Sequence, residues 1–410
     1  MIGTFTAGRE TAADRGSSLG DELAAMDRAL ELARRGPSGG PNPRVGCVIL
    51  AAPARTATPP STPPATPAGP LAPVTPTPRR VLAEGWHRGA GTLHAEAAAL
   101  AAARANGIDV RGATAVVTLE PCHHTGRTPP CAQALIDAGV ARVVVAVADP
   151  NPAAAGGGDQ LRAAGVDVAS GVREAEGREL LRIWLAAVER GRPYVTLKLA
   201  SSLDGRVAAA DGSSRWITSD VAREHAHRLR AEVGAIAVGT GTVCADDPEL
   251  TARTASSELT SHQPLRVVVG LRDVPAGARV RGPGGELLHL RTHDVASVLA
   301  ALHAREVRHL LVEGGPTLAA AFLRAGVVDE IHAYIAPVLL GAGPSAVGDL
   351  GITSIGDALR YEPREPIALG PDVLIVSTPV RATSGAAPPL PSPEPSPHAP
   401  TPPAPTEQET

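Results

Sequence analysis

Aromatic side chains are nearly missing from this sequence: two Phe, three Tyr and three Trp among 410 residues. Base-stacking platforms are built from such rings, so a nucleic-acid groove is poorly supplied. Lysine is scarcer still. Lys198 is the only one, and 38 basic residues face 42 acidic ones for a formal net charge of -4. No basic tail or stripe is left to follow a phosphate backbone, and nucleic acid is not expected as a partner. Cysteine is limited to Cys47, Cys122, Cys131 and Cys244. Four cannot staple a chain of this length, which leaves metal binding or burial. No apolar run reaches the roughly 20 residues of a membrane helix, and "MIGTFTAGRETAADRG" lacks the charged-then-apolar layout of a secretion signal. A soluble cytoplasmic protein with no membrane partner is expected.

Proline, by contrast, is concentrated. Ten of the 40 prolines lie in residues 51–80 and ten more in 381–410. Neither window can bury a core. The first separates two strand-like runs, "VGCVIL" and "RVLAEGWH", and reads as a surface insertion widening a hairpin loop at little entropic cost. The second reads as a disordered tail. Elsewhere helices alternate with strands: a helix over 21–36 closed by Gly36, the alanine-rich helix in "GTLHAEAAALAAARANG" (91–107), and a strand over 113–121. A helix over 130–139 and a strand over 141–150 follow. The chain exceeds the size of most single cores, so two α/β domains are expected, over 21–170 and 192–380. The second, from "PYVTLKLASSLDG" onward, predicts a mostly parallel sheet covered on both faces.

Chemistry first gathers at His94 and Glu96, which open the alanine-rich helix, and at Cys122 and Cys131 in "LEPCHHTGRTPPCAQAL". Thiolates and a neutral imidazole suit zinc, and three protein ligands leave a fourth position for water. A helix start at Cys131 would help hold its thiolate. Bound Zn²⁺ lowers the pKa of water from about 16 toward about 7, and Glu96 can pass that water's proton to a leaving amine. Each fragment alone has a plainer reading, a solvated His/Glu pair or two small buried thiols. Together, H-x-E, a strand and then Pro-Cys form the zinc deaminase signature, with the carboxylate as acid/base. The usual closing C-x-x-C is replaced by an eight-residue spacer between Cys122 and Cys131.

A second group lies in the other half. "LKLASSLDGRVAAADGSSRWITS" ends a strand in a polar turn with Ser201, Ser202, Asp204 and Arg206, at the sheet edge where ligands of parallel α/β proteins collect. Lys198 stands where this chain otherwise uses Arg, a hint that a compact ammonium is wanted. "LLVEGGPTLAAAFL" runs from strand through Gly314 and Gly315 into a helix, presenting backbone N–H groups to an anion without being a GxGxxG fingerprint.

The long "PCHHTGRTPPC" spacing, with "PNPRVGCVI", "AEGWHRGAGTLHAE", "DPNP" and "VGTGTVCADDPELTAR", resembles the bifunctional deaminase/reductases of riboflavin biosynthesis over roughly residues 21–378. That resemblance implies a cytidine-deaminase-like α/β/α domain and a dihydrofolate-reductase-like α/β domain, with Zn²⁺ and NADPH as cofactors. It implies that His94, Cys122 and Cys131 bind zinc and that Glu96 is the proton shuttle, with Asn42, His124, Asp149 and Asn151 lining the pyrimidine and ribose phosphate. Ala200, Trp216, Thr242, Asp246 and the turn Gly315, Pro316, Thr317, Leu318 would face the coenzyme. Ser214, Arg230, Leu250, Arg253 and Glu313 would face the second substrate, the arginines taking its phosphate by charge-assisted hydrogen bonds. The implied reactions are deamination of 2,5-diamino-6-(5-phosphoribosylamino)pyrimidin-4(3H)-one, then reduction of the ribosyl group to ribityl. Lys198 and Asp204 are candidates for the general acid of the second step.

His87 and His123 read as loop-orienting or solvent-facing, and Cys47 as core. A zinc deaminase of free nucleosides or nucleic acid, fused to a non-catalytic nucleotide-binding module, is the alternative. It asks for a basic groove and aromatic rings that the composition withholds. A nucleotide sensor would have no need of Glu96. The oligomeric state is left open, a homo-oligomer included.

Overall fold

The computed structural model describes residues 12–53, 78–124, 129–152 and 154–380. Most of the proline-rich stretch 51–80 and the whole of 381–410, read above as insertion and tail, lie outside these residues.

The first half runs α1 (Ala12–Arg34), β1 (Gly46–Leu50), β2 (Val81–Trp86), α2 (Ala95–Ala105), β3 (Thr114–Leu119), α3 (Cys131–Asp137), β4 (Arg142–Val147), α4 (Gly157–Ala163), β5 (Asp167–Ser170) and α5 (Glu174–Arg190). The strands form one sheet in the order β2-β1-β3-β4-β5, antiparallel from β2 to β3 and parallel from β3 to β5. "TAVVTL" in β3 is buried at every position, as a central strand covered on both faces must be. Two glycines show how the layers meet. A Cβ at Gly46 would stand 2.0 Å from Ala29 O of α1, and one at Gly85 would stand 2.3 Å from Ala95 O of α2. Gly85 pairs with Cys47, the neighbour of Gly46, so the two glycines point to opposite faces and α1 and α2 sandwich the sheet.

Helix α1 begins nine residues before the expected start at Asp21. Its closing Gly36 is not left-handed, as a glycine cap would be; it is needed because a Cβ there would lie 2.7 Å from His87 O. Gly139, after α3, does take the left-handed conformation, with φ 72°.

The second half runs β6 (Tyr194–Ser202), α6 (Asp220–Glu232), β7 (Ala235–Gly239), α7 (Thr240–Asp246), β8 (Leu265–Val269), β9 (Leu287–Leu290), α8 (Val295–Ala304), β10 (His309–Val312), α9 (Pro316–Arg324) and β11 (Glu330–Ala336), then β12 (Tyr361–Pro363), β13 (Ile367–Leu369) and β14 (Asp372–Pro379). Six strands, β11-β6-β10-β7-β8-β9, are parallel neighbours, and β14 adds antiparallel to β11 with β12 and β13 on it. The mostly parallel sheet expected from the alternation is thus present, with an antiparallel edge. Asp329 ties the halves together: it accepts from Arg192 (2.7 and 2.9 Å), Arg190 and the backbone N–H of Val195 (2.8 Å). No helix among the described residues is long and apolar enough to cross a membrane.

Candidate active sites

Strand direction gathers the first site. Cys122 and Asp149 follow the carboxyl ends of parallel β3 and β4, while antiparallel β1 and β2 bring Asn42 and His87 to the same edge. The N-terminus of α2, held close on Gly85, delivers His94 as its N-cap and Glu96 in its first turn. His94 Nδ1 lies 3.7 Å from Cys122 Sγ and 3.4 Å from Cys131 Sγ. Zinc–sulfur and zinc–nitrogen bonds of about 2.3 and 2.0 Å at tetrahedral angles place such atoms about 3.5 Å apart. The three ligand atoms, all within 4.8 Å of one another, therefore fit a zinc ion without rearrangement.

The first amide of α3, Cys131 N–H, donates to Cys122 Sγ at 3.5 Å. Cys122, accepting also from the Cys131 thiol, is the favoured thiolate, pushed down to about 4, and Cys131 is shifted upward. Glu96 is 3% exposed, and burial pushes its carboxyl up to about 7. Asp149 is pushed up to about 6, again chiefly by burial.

A cavity of about 320 Å³ opens onto these groups, and Asn42, His124, Asp149 and Asn151 line it. His124 Nδ1 is buried with no partner among the described residues, a polar atom available to a ligand. His87, also on the wall, orients its neighbour. Its Nδ1 donates to Leu93 O at 3.1 Å, so its Nε2 must accept, and Asn42 Nδ2 donates to it at 3.0 Å. The Asn42 amide is thereby oriented, its nitrogen on His87. His123 points away and meets Ala154 O at 3.1 Å. Cys47 is buried in β1 and Cys244 is exposed.

The second site is a larger cavity, about 910 Å³, at the carboxyl ends of β6, β7, β8 and β10. Ala200, Thr242, Asp246 and the turn Gly315, Pro316, Thr317, Leu318 line it, together with Ser214, Glu313 and Lys198. Gly315 N–H donates to Thr242 Oγ1 at 3.1 Å, and a Cβ at Gly315 would stand 3.2 Å from the same oxygen, so the turn gives bare backbone to the cavity. Helix α9 starts at Pro316 on this wall, and a helix N-terminus is a place where an anionic group can be received.

Four expected contacts do not reach that wall. Trp216 is 68% exposed, with the Arg223 guanidinium 4.4 Å from its ring centroid. Leu250 is core. Arg230 makes a two-bond pair with Glu313, 2.8 Å each, and donates to Thr251 O. Arg253 is engaged by Glu249 at 2.5 Å, Thr251 Oγ1 and Ser257 O. Lys198 Nζ lies 3.4 Å from Glu313 Oε2, completing a half-buried triad in which the Glu313 side chain is the most enclosed. Burial raises the Glu313 pKa, but Arg230 and then Lys198 outweigh it and hold the carboxyl down to about 2. Asp204 leaves the list of general acids: Ser202 Oγ and the backbone amides of Leu340 and Gly341 donate to it, so it organises a turn and is held down to about 2. Arg272, His293 and Arg324 line the cavity without having been singled out, since no local motif marks them.

A His/Cys/Cys metal cradle with a buried glutamate, followed on one chain by a coenzyme-sized cavity in a parallel sheet, defines a zinc deaminase joined to a reductase. Residues 20–147 match the cytidine and deoxycytidylate deaminase zinc-binding region, and residues 193–375 match the RibD C-terminal domain. The riboflavin biosynthesis protein RibD of Mycobacterium tuberculosis is 52% identical over 297 residues, covering 72% of this chain and 86% of that protein. RibD of Escherichia coli is 39% identical over 386 residues, covering 85% and 97%. A solved structure of Acinetobacter baumannii RibD superposes with a TM-score of 0.74 at 35% identity, covering 88% of this chain and all of that one. The chain belongs to the RibD family, and it is a bifunctional riboflavin-biosynthesis enzyme, a zinc deaminase and an NADPH-dependent reductase acting on a small pyrimidine.

Proposed function

We propose that the two domains, over 21–170 and 192–380, act in sequence on one phosphorylated pyrimidine. The Thermotoga maritima relative, with a TM-score of 0.74 at 31% identity, is described as a diaminohydroxyphosphoribosylaminopyrimidine deaminase and 5-amino-6-(5-phosphoribosylamino)uracil reductase. By that analogy this chain releases ammonia from 2,5-diamino-6-(5-phosphoribosylamino)pyrimidin-4(3H)-one and then reduces the ribosyl group to ribityl. The observation that carries the reading is Glu96, buried beside His94, Cys122 and Cys131 at the floor of a pocket a pyrimidine fits.

Zinc, when bound, supplies a water acidic enough to attack at neutral pH. Glu96 takes the proton from that water and returns it to the departing amine. Asn42 offers an amide oriented by His87, while His124, Asp149 and Asn151 offer polar edges to the ring and sugar. NADPH, when bound, supplies the hydride for the second reaction. The turn Gly315–Leu318 holds it, with Ala200, Thr242 and Asp246, and Trp216 reaches it by folding inward. Lys198, held by Glu313 and facing the cavity, delivers the proton that accompanies the hydride. Ser214 and Glu313 face the sugar, while Arg230 acts through Glu313. Leu250 backs the site, and Arg253 takes the phosphate by exchanging its bond to Glu249. The protein works in the cytoplasm, without nucleic acid or membrane, and the family fold is compatible with a homo-oligomer.

Ammonia release and NADPH oxidation by zinc-loaded protein on that substrate test the scheme; absence of either removes the corresponding half. For Arg253, the Ala variant should raise the reductase KM roughly ten- to a hundredfold with NADPH affinity unchanged. An equal effect on a dephosphorylated substrate would remove Arg253 from the phosphate.

A further inference from the structure

Lys198 is held on two sides, and only one of them is its carboxylate. Its ammonium has three protons to give and makes one hydrogen bond among the described residues, the 3.4 Å contact to Glu313 Oε2. Glu313 is committed more closely to Arg230, whose Nε and one terminal nitrogen each lie 2.8 Å from a carboxylate oxygen. A long bond to a shared carboxylate leaves the flexible four-carbon stem of a lysine room to turn. The second constraint is a ring. Lys198 Nζ stands 5.6 Å from the ring centroid of Tyr334, within the range at which an ammonium is attracted to an aromatic face.

Strand register explains the meeting. In the parallel pair of β6 and β11, Lys198 stands opposite His332 and Ala200 opposite Tyr334, so these four side chains lie on one face of the sheet. On the other side of β6, Leu197 pairs with Val312, which brings Glu313 level with Lys198. Lys198 and Ala200 line the reductase cavity. Tyr334 is 1% exposed and packs with Ala222 and Ala226 of α6 and Leu374 of β14. Its hydroxyl lies 2.8 Å from His225 Nδ1 of α6, which fixes the tilt of the ring. The charged and titratable groups around the ammonium are therefore Glu313 after β10, Arg230 and His225 on α6, and His332 and Tyr334 on β11. A chain with three tyrosines and one lysine brings one of the three against that lysine, at the wall where a proton must be delivered.

We infer that Tyr334 is a positioning residue of the reductase: its ring face keeps the Lys198 ammonium protonated and directed into the cavity, and so governs the rate of reduction rather than the binding of coenzyme or sugar. The inference rests on proton delivery by Lys198, proposed above.

The test follows NADPH oxidation by the full-length zinc-loaded enzyme on the deaminated compound, across pH. Tyr334→Phe keeps the ring face and should hold kcat within about twofold. Phenylalanines carrying one, two and three ring fluorines at position 334 keep the shape and drain the face of negative charge stepwise. With the face weakened the ammonium deprotonates more readily, so the alkaline limb of kcat moves to lower pH. The trifluorinated ring should lower kcat roughly three- to thirtyfold and move that limb by about one pH unit. KM, NADPH affinity and ammonia release should stay as in the wild type. A series that is flat in kcat and pH profile, or a loss that appears in KM, overturns the role of Tyr334. Lys198→Met separates the two readings: it should abolish reduction, and a variant that still reduces the compound at the wild-type rate removes Lys198 as the proton donor and this inference with it.

Discussion

The two cavities are built by opposite strategies. The deaminase pocket is small, about 320 Å³, and its reactive groups are side chains fixed at the ends of tightly packed elements. The reductase cavity is about 910 Å³; the glycine turns at Gly239, Gly241, Gly314 and Gly315 lie on its wall, and two of its charged residues, Lys198 and Glu313, pair with each other and with Arg230 behind them. A site that holds a metal must fix three atoms to within tenths of an ångström. A site that holds a long coenzyme must offer room and amide donors.

Breaking the first site should have the largest effect. Cys131→Ala removes one of three ligands, so zinc measured on the purified protein should be lost and ammonia release abolished, with NADPH oxidation on the deaminated compound intact. Loss of both activities would mean that the domains are not separable in this way. Glu96→Gln should cost about 10²- to 10⁴-fold in deamination with zinc retained; zinc lost in step with rate would make Glu96 a ligand. In the second site, Arg230→Ala leaves Glu313 buried with a weaker partner. That change should lower stability by about 3–5 kcal/mol in denaturant unfolding. Acid adds a second signature. A carboxylate held lower in the folded state than its ordinary 4.5 contributes stability that is complete above that value and disappears as the pH falls toward about 2. Glu313→Gln should flatten that acid limb, and an unchanged limb would assign it to other groups. The smallest effect is expected from replacing residues 54–77 with a short turn and deleting 381–410. Ala51 N–H already bonds Arg80 O at 2.8 Å across the gap, so both activities should persist with stability within about 0.5 kcal/mol.

Proximity along the chain decided what could be read from the sequence. His94 and Glu96 sit two residues apart, and Cys122 and Cys131 flank one loop, so their spacing carried the metal chemistry before any coordinates. Strand and helix order was equally legible, because hydrophobic runs and glycine stops are local. What escaped was long-range pairing. Arg230 meets Glu313 across 83 residues and Arg308 meets Pro41 across 267, and nothing local in either partner announces the other. Asp204 misled for a related reason: a polar turn at a strand end looks like a ligand site until its carboxylate is seen to be used by Ser202, Leu340 and Gly341. Gly36 looked like a left-handed cap and serves a close approach instead.

Strand β10 spans only His309–Val312, yet Arg308 before it faces one cavity and Glu313 after it faces the other. Four residues of extended chain, roughly 13 Å, run from one cavity wall to the other, through the buried middle of a sheet that admits no solute. The two cavities thus stand at opposite ends of this one strand, and the strand itself offers no passage between them.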